Sequence, residues 1–218
     1  MKALDLTLYF VTDSTDKTEN EFLKIIEEAC KGGVTLVQLR EKERSELDYL
    51  LLSQKVKQIT DRFDIPLIID DRIDIAIAAD AAGVHVGQND IPVKYARQIL
   101  GKNKIVGATV KTIEQARIAK EEGADYFGVG AIYPTTTKVV TILTEVSMLN
   151  EISCETNMPV AAIGGLNQTN IDVLYDSMAD GIAVVSAIMK SENPRESART
   201  LKEQVQNNFK KLKKASYK

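Results

Sequence analysis

Tryptophan is absent from the 218 residues, and aromatic residues make up only 6% of the chain. Stacking platforms of the kind that hold single-stranded nucleic acid are therefore poorly supplied. No strong charge of one sign is present either. The formal net charge is −3, so no global basic field points to nucleic acid or to an anionic membrane. Cysteine occurs twice, at Cys30 and Cys154. Both fall in helix-like stretches without zinc-ligand spacing, which suits a reduced, cytoplasmic compartment better than a disulfide scaffold. No apolar run approaches the ~20 residues that a membrane span needs. The opening stretch, MKALDLTLYFVTDS, reads as too short and too polar for a secretory signal.

What is present is regular alternation. Apolar β-rich runs recur at 6–12, 34–39, 66–69, 83–86, 104–109, 126–132, 159–163 and 181–185. Amphipathic or short buried helical stretches lie between them, expected at 21–30, 47–63, within 73–82, and at 93–100, 113–122, 145–156 and 170–178, with a tail helix over 194–214. Continuous apolar strands alternating with helices predict a parallel sheet covered by helices. Eight such units fit a single closed (β/α)8 TIM barrel occupying residues 1–218; an open doubly wound sheet is the alternative. No linker, low-complexity segment or composition break divides the chain.

In either architecture chemistry sits at the carboxyl ends of the strands. Those ends carry Gln38, Leu39, Arg40, Glu41 and Lys42; Asp70 and Asp71; Asp90; Thr109; Thr135, Thr136, Thr137 and Lys138; Gly165; and Val185 and Ser186. Asp71 and Asp90 follow neighbouring strands, which lie ~5 Å apart. Both carboxylates can then reach one divalent cation, and one or two carboxylates plus substrate phosphate oxygens is a common way to hold Mg²⁺. Arg40, Lys42 and Lys138 add cations for an anionic substrate. Gly164–Gly165 and Ser186 match the phosphate site that such barrels place after their last strands. Two phosphate-bearing ligands are expected, one metal-bound near Asp71 and Asp90 and one near Gly165 and Ser186. Taken singly, each signal also has a plain structural reading. Asp71 reads as a helix N-cap, Asp70 as a solvated turn residue, and Gly164–Gly165 as a turn. His85, the only histidine, reads as a hydrogen-bonded core residue, and Thr135–Thr137 as a polar loop. Only their convergence on one edge of one barrel favours a site.

Five motifs, in this order and spacing, carry a resemblance: VQLREKE (Val37–Glu43), PLIIDDRIDIA (Pro66–Ala76), GVHVGQND (Gly83–Asp90), DYFGVGAIYPTTTK (Asp125–Lys138) and AIGGLN (Ala162–Asn167). Together they resemble the thiamine phosphate synthase family across nearly the whole chain. The resemblance implies a (β/α)8 enzyme, a transferase. It displaces pyrophosphate from 4-amino-5-hydroxymethyl-2-methylpyrimidine pyrophosphate with the ring nitrogen of a thiazole phosphate, or of its carboxylate with loss of CO2, and uses Mg²⁺. By motif, Gln38 to Lys42, Asp70, Thr109 and Lys138 would bind the pyrimidine pyrophosphate, with Arg40, Lys42, Thr109 and Lys138 assisting catalysis. Asp71 and Asp90 would hold Mg²⁺, and Thr135–Thr137, Gly165, Val185 and Ser186 would bind the thiazole phosphate. Three stretches depart from the family pattern: Asp70 where an Asn is usual, Thr109-Val110-Lys111-Thr112 after the fifth strand, and VVTILTE after Lys138. A thiazole tautomerase is the sister reading, but that group relies on a histidine where Lys111 stands. A ligand-binding paralogue without turnover is the non-enzymatic alternative. The expected partners are small molecules, not nucleic acid or membrane.

Overall fold

The protein was analysed as a computed structural model, which describes residues 4–135 and 143–209. Eight strands close into a parallel barrel in sequence order: β1 Leu8–Val11, β2 Leu36–Leu39, β3 Leu67–Asp70, β4 Gly83–Val86, β5 Ile105–Val110, β6 Tyr126–Gly130, β7 Val160–Ile163 and β8 Gly181–Val184. Closure is made by β8 against β1, with Tyr9 paired to Ala183. Around it lie α1 Glu19–Gly32, α2 Glu46–Asp61, α3 Ile73–Ala78, α4 Val93–Leu100, α5 Ile113–Glu121, α6 Val146–Thr156, α7 Ser186–Met189 and α8 Pro194–Asn208. This is the (β/α)8 barrel expected from the eightfold alternation, and the open sheet is excluded. No helix among the described residues is long and apolar enough to cross a membrane.

The strands divide their side chains by the period of two that a pleated strand imposes. Tyr9, Leu36, Ile68, Tyr126, Ala161 and Ala183 face inward and pack on one another. Their chain neighbours Phe10, Val37, Ile69, Phe127, Ala162 and Ile182 or Val184 face outward into the layer beneath the helices. Local chemistry fixes where the helices begin. Thr18 caps α1 reciprocally with Glu21: its hydroxyl accepts from the Glu21 amide, and the Glu21 carboxylate accepts from the Thr18 amide at 2.9 Å. Ser45, Thr112 and Asn193 cap α2, α5 and α8 one way, each accepting from the amide three residues on, each cap worth about 1 kcal/mol. The helix expected at 21–30 begins two residues earlier, at Glu19, because Thr18 supplies its cap.

The helix expected at 170–178 is not there. Only a 3-10 turn forms, over Ile171–Leu174. Side-chain oxygens divert the backbone: Asn170 Oδ1 accepts from the Asn167 amide, and Ser177 Oγ both donates to the Leu174 carbonyl and accepts from the Ala179 amide. Ile171, Leu174 and Met178 are nonetheless buried, which is why their spacing imitates a helical face. Of the expected tail helix, 194–208 is helical and residues 210–214 lie outside the described residues.

The inward Tyr126 ring needs space that a narrow barrel does not ordinarily have. Gly107, paired with Tyr126 across β5 and β6, supplies it: a Cβ there would lie 2.2 Å from Tyr126 Cζ. Gly107→Ala is expected to cost about 1–3 kcal/mol, as overpacking does, and to lower Tm by about 2–4 °C per kcal/mol for a chain of this size. Thermal unfolding followed by circular dichroism checks this, and an unchanged Tm would contradict the packing.

Candidate active site

The carboxyl ends of β2, β3 and β4 form one ionic cluster. Asp70 closes β3 with its side chain only 10% exposed, and it faces Lys42 Nζ at 2.8 Å and Arg40 Nε at 3.7 Å. The Lys42 ammonium also contacts Asp71. Burial alone would pull the Lys42 amine down, but Asp70 and Asp71 outweigh it and hold the pKa above the ordinary lysine value. Asp71 in turn touches the Asp90 carboxyl. Burial, and then this like-charged neighbour, push Asp90 above the usual aspartate range, opposed by the Gly87 amide that donates to it at 2.6 Å.

The backbone presents these groups at some conformational cost. Asp71 does not cap α3; the cap position is Arg72, which makes no side-chain capping bond. Asp71 adopts φ +59°, a left-handed conformation in which non-glycine residues are uncommon. Its amide donates to the His85 carbonyl at 2.9 Å, tying the end of β3 to β4. The end of β2 is tied as firmly. The Arg40 amide donates to Thr12 Oγ1, and the Tyr49 hydroxyl donates to the Leu39 carbonyl.

Glu41 turns inward. Its side chain is 5% exposed, and Oε2 accepts from Ser14 Oγ at 2.6 Å and Arg44 Nε at 2.8 Å. Its Oε1 is buried without a hydrogen-bond partner. Ser14, Glu41 and Arg44 thus clamp the loop after β1 to the loop that carries Arg40 and Lys42. That loop borders a cavity of about 980 Å³ whose far wall is Val185, Ser186 and Lys190. Val185 precedes α7 and Ser186 begins it. Asp90, Thr109 and Gly165 do not line this cavity.

Opposite, the ends of β6 and β7 lie together. The Ile132 amide donates to the Ile163 carbonyl and the Tyr133 amide to the Gly164 carbonyl. Gly165 has φ +65°, and a Cβ there would lie 2.7 Å from both Tyr133 Cβ and the Pro134 carbonyl oxygen. Only glycine permits the turn after β7 to pass this close to the segment leading to Thr135. Thr136, Thr137 and Lys138 lie outside the described residues.

Every expected site residue that is described sits at the carboxyl edge of the barrel. Gln38 and Leu39 are buried within β2, and Thr109 is the penultimate residue of β5. His85 is the hydrogen-bonded interior residue expected of it. Its Nε2 lies 2.9 Å from Thr109 Oγ1 and its Nδ1 lies 3.0 Å from the Tyr126 hydroxyl. Sequence reasoning passed over Tyr126 and Tyr9, whose hydroxyls meet at 2.7 Å inside the barrel. It also passed over Ser14 and Lys190. The available signal was a tyrosine at an inward register position in each of β1 and β6.

Which groups could hold a metal follows from this geometry. Asp71 and Asp90 are two carboxylates in contact, Asp90 raised in pKa by burial and then by Asp71, and this suits a divalent cation. Among the described residues, no three acidic, histidine or cysteine side chains converge as a complete cage. A cation here would draw its remaining ligands from water or a phosphorylated substrate.

Comparison with known proteins agrees with this geometry. The family model for thiamine monophosphate synthase matches residues 8–188. A thiamine-phosphate synthase of Methanobrevibacter smithii is 50% identical over 201 residues, covering 92% of this chain and 96% of that protein. One of Clostridium tetani is 46% identical over 200 residues, covering 92% and 96%. The solved structure of thiamine phosphate pyrophosphorylase from Pyrococcus furiosus superposes with a TM-score of 0.86 at 34% identity, covering 94% of this chain and 98% of that one. On this match, which runs from β1 to α7, the chain belongs to the thiamine monophosphate synthase family.

Proposed function

We propose that this enzyme, a transferase by its family, joins 4-amino-5-hydroxymethyl-2-methylpyrimidine pyrophosphate to 4-methyl-5-(2-phosphoethyl)thiazole, or to its carboxylate with loss of CO2. Thiamine phosphate forms and pyrophosphate leaves. The observation that carries the reading is the convergence of Arg40 and Lys42 on Asp70 and Asp71, with Asp90 in contact, at adjacent strand ends. Two cations to bind an anion and two carboxylates to bind a cation form one pole of the barrel mouth.

Arg40 and Lys42 bind the pyrophosphate oxygens and take up the charge that grows as the methylene C–O bond breaks. Pyrophosphate leaves with the electron pair of that bond. The 4-amino group delocalises the positive charge left on the pyrimidine methylene. The thiazole ring nitrogen then gives its lone pair to form the new C–N bond, so no protein nucleophile is required. Asp71 and Asp90 would hold Mg²⁺, which when bound supplies further charge neutralisation for the departing pyrophosphate. Gln38 and Thr109 orient the pyrimidine, and Leu39 and Glu41 shape that pocket. Thr135, Thr136, Thr137, Gly165, Val185 and Ser186 hold the thiazole phosphate, and Lys138 is assigned to the pyrophosphate. The barrel walls align the two reactants and exclude the water that would capture the cation. The two free cysteines accord with a cytoplasmic setting.

Purified protein given both substrates and Mg²⁺ is expected to release pyrophosphate and form thiamine phosphate, identified by mass, and to do neither in EDTA. Folded protein that binds both substrates without product would favour a ligand-binding paralogue. Replacing either acid tests the metal assignment. Asp71→Ala and Asp90→Asn are each expected to lower kcat about 10²-fold or more. Asp90→Asn retains an oxygen acceptor for the Gly87 amide and removes one of two apposed charges, so its Tm should equal or exceed that of the wild type. Full activity with unchanged Mg²⁺ dependence in either variant would overturn the assignment.

A further inference from the structure

Below the mouth of the barrel, five side chains form an unbroken hydrogen-bonded chain from β2 to β5. Gln38 Nε2 donates to the Tyr9 hydroxyl at 2.5 Å. The Tyr9 and Tyr126 hydroxyls meet at 2.7 Å, Tyr126 reaches His85 Nδ1 at 3.0 Å, and His85 Nε2 reaches Thr109 Oγ1 at 2.9 Å. Tyr9, Tyr126, Gln38 and His85 are all buried.

The chemistry of the end groups gives this chain a direction. An amide nitrogen only donates. Tyr9 therefore accepts from Gln38, and because its own buried hydrogen must also find a partner, it donates to Tyr126, whose hydroxyl is in reach. Tyr126 in turn passes its hydrogen to His85 Nδ1. That nitrogen then carries none, so the neutral imidazole is protonated at Nε2 and donates to Thr109 Oγ1. The Thr109 hydroxyl hydrogen is left to point away from the ring. At the other end, one N–H of the Gln38 amide is committed to Tyr9, which turns the carbonyl Oε1 away from Tyr9 as an acceptor, beside the remaining N–H. Burial pushes both phenols far above the ordinary tyrosine range, so neither link is lost as a phenolate.

The chain therefore presents the Gln38 carbonyl as an acceptor on β2 and the Thr109 hydroxyl as a donor on β5. An aminopyrimidine offers the complement, an exocyclic N–H donor and an acceptor ring nitrogen. A 4-oxopyrimidine reverses that edge. We infer that Tyr9, Tyr126 and His85 are positioning residues that set this donor–acceptor polarity, so that the pocket accepts a 4-aminopyrimidine and rejects its 4-oxo counterpart. The inference rests on the reading above that Gln38 and Thr109 hold the pyrimidine.

His85 is the only histidine, so nitrogen-15 NMR of labelled protein reports its tautomer without ambiguity and without any substrate. The wild type is expected to show a single neutral imidazole protonated at Nε2. An Nδ1-protonated ring, or a rapidly exchanging mixture, would overturn the inference even if the enzyme proves fully active. If that tautomer is found and no thiamine phosphate forms, the functional reading has failed and the polarity of the chain has not. Tyr126→Phe keeps the ring that fills the space beside Gly107 and removes the central hydroxyl. It is expected to raise KM for the pyrimidine pyrophosphate about 10-fold, the scale of one hydrogen bond. It should leave KM for the thiazole phosphate unchanged and narrow the preference for the 4-amino over the 4-oxo pyrophosphate. Equal changes in both KM values, or unaltered discrimination in the folded variant, would reduce the chain to packing and overturn the inference.

Discussion

Two carboxylates in contact repel each other, and the carboxyl edge of this barrel is arranged to keep Asp71 and Asp90 together. The left-handed backbone at Asp71, its amide bond to the His85 carbonyl and the Gly87 amide on Asp90 all act on that pair. Strain of this kind costs of order 1–3 kcal/mol and persists only where surrounding structure over-determines it. The Lys42 ammonium offsets part of the repulsion, and Asp70 holds Lys42 in place. A group of charges so dependent on one another is a poor way to stabilise a fold, since surface pairs contribute little and buried ones can cost more than they return. As a pole awaiting a divalent cation and an anionic leaving group, it makes physical sense.

The barrel makes that pole possible. Parallel strands deliver residues distant in sequence to one rim, and their outward faces bury the apolar layer that holds the rim rigid. Inside, the usual apolar filling is interrupted by Tyr9, Tyr126 and His85, with Gly107 making room for the Tyr126 ring and Gly128 standing against His85. A buried polar chain of this sort is tolerable only when each member is satisfied. Here the satisfaction extends from one wall of the mouth to the other, so the same bonds that make the interior acceptable also fix side chains at the site.

The eight strands and most helices were legible because their periods of two and 3.6 are local properties of the chain. Asp71 and Asp90 were legible as a pair because neighbouring parallel strands share a rim whatever their details. The segment at 170–178 was misread because burial of Ile171, Leu174 and Met178 gives a helical spacing, while Asn170 and Ser177 take the backbone bonds elsewhere. Asp71 as an N-cap failed for a related reason: its role depends on a φ value that no pattern announces. Glu41 was recognised as a site residue, but its inward clamp through Ser14 and Arg44 needs the loop after β1 to be seen beside β2. The chain through Tyr9 and Tyr126 joins residues 117 positions apart, and only closure of the barrel brings them together. For Thr136, Thr137 and Lys138 the sequence motif remains the sole source of the assignment.

The central claim is that Asp71 and Asp90 hold a cation which meets the pyrophosphate bound by Arg40 and Lys42. Mn²⁺ in place of Mg²⁺ makes that contact visible, because a paramagnetic ion broadens the phosphorus-31 resonances of a pyrophosphate beside it. We expect strong broadening in the wild-type protein with pyrophosphate and Mn²⁺, and its loss in Asp71→Ala under conditions where pyrophosphate still binds. Equal broadening in both proteins would place the metal elsewhere and contradict the account.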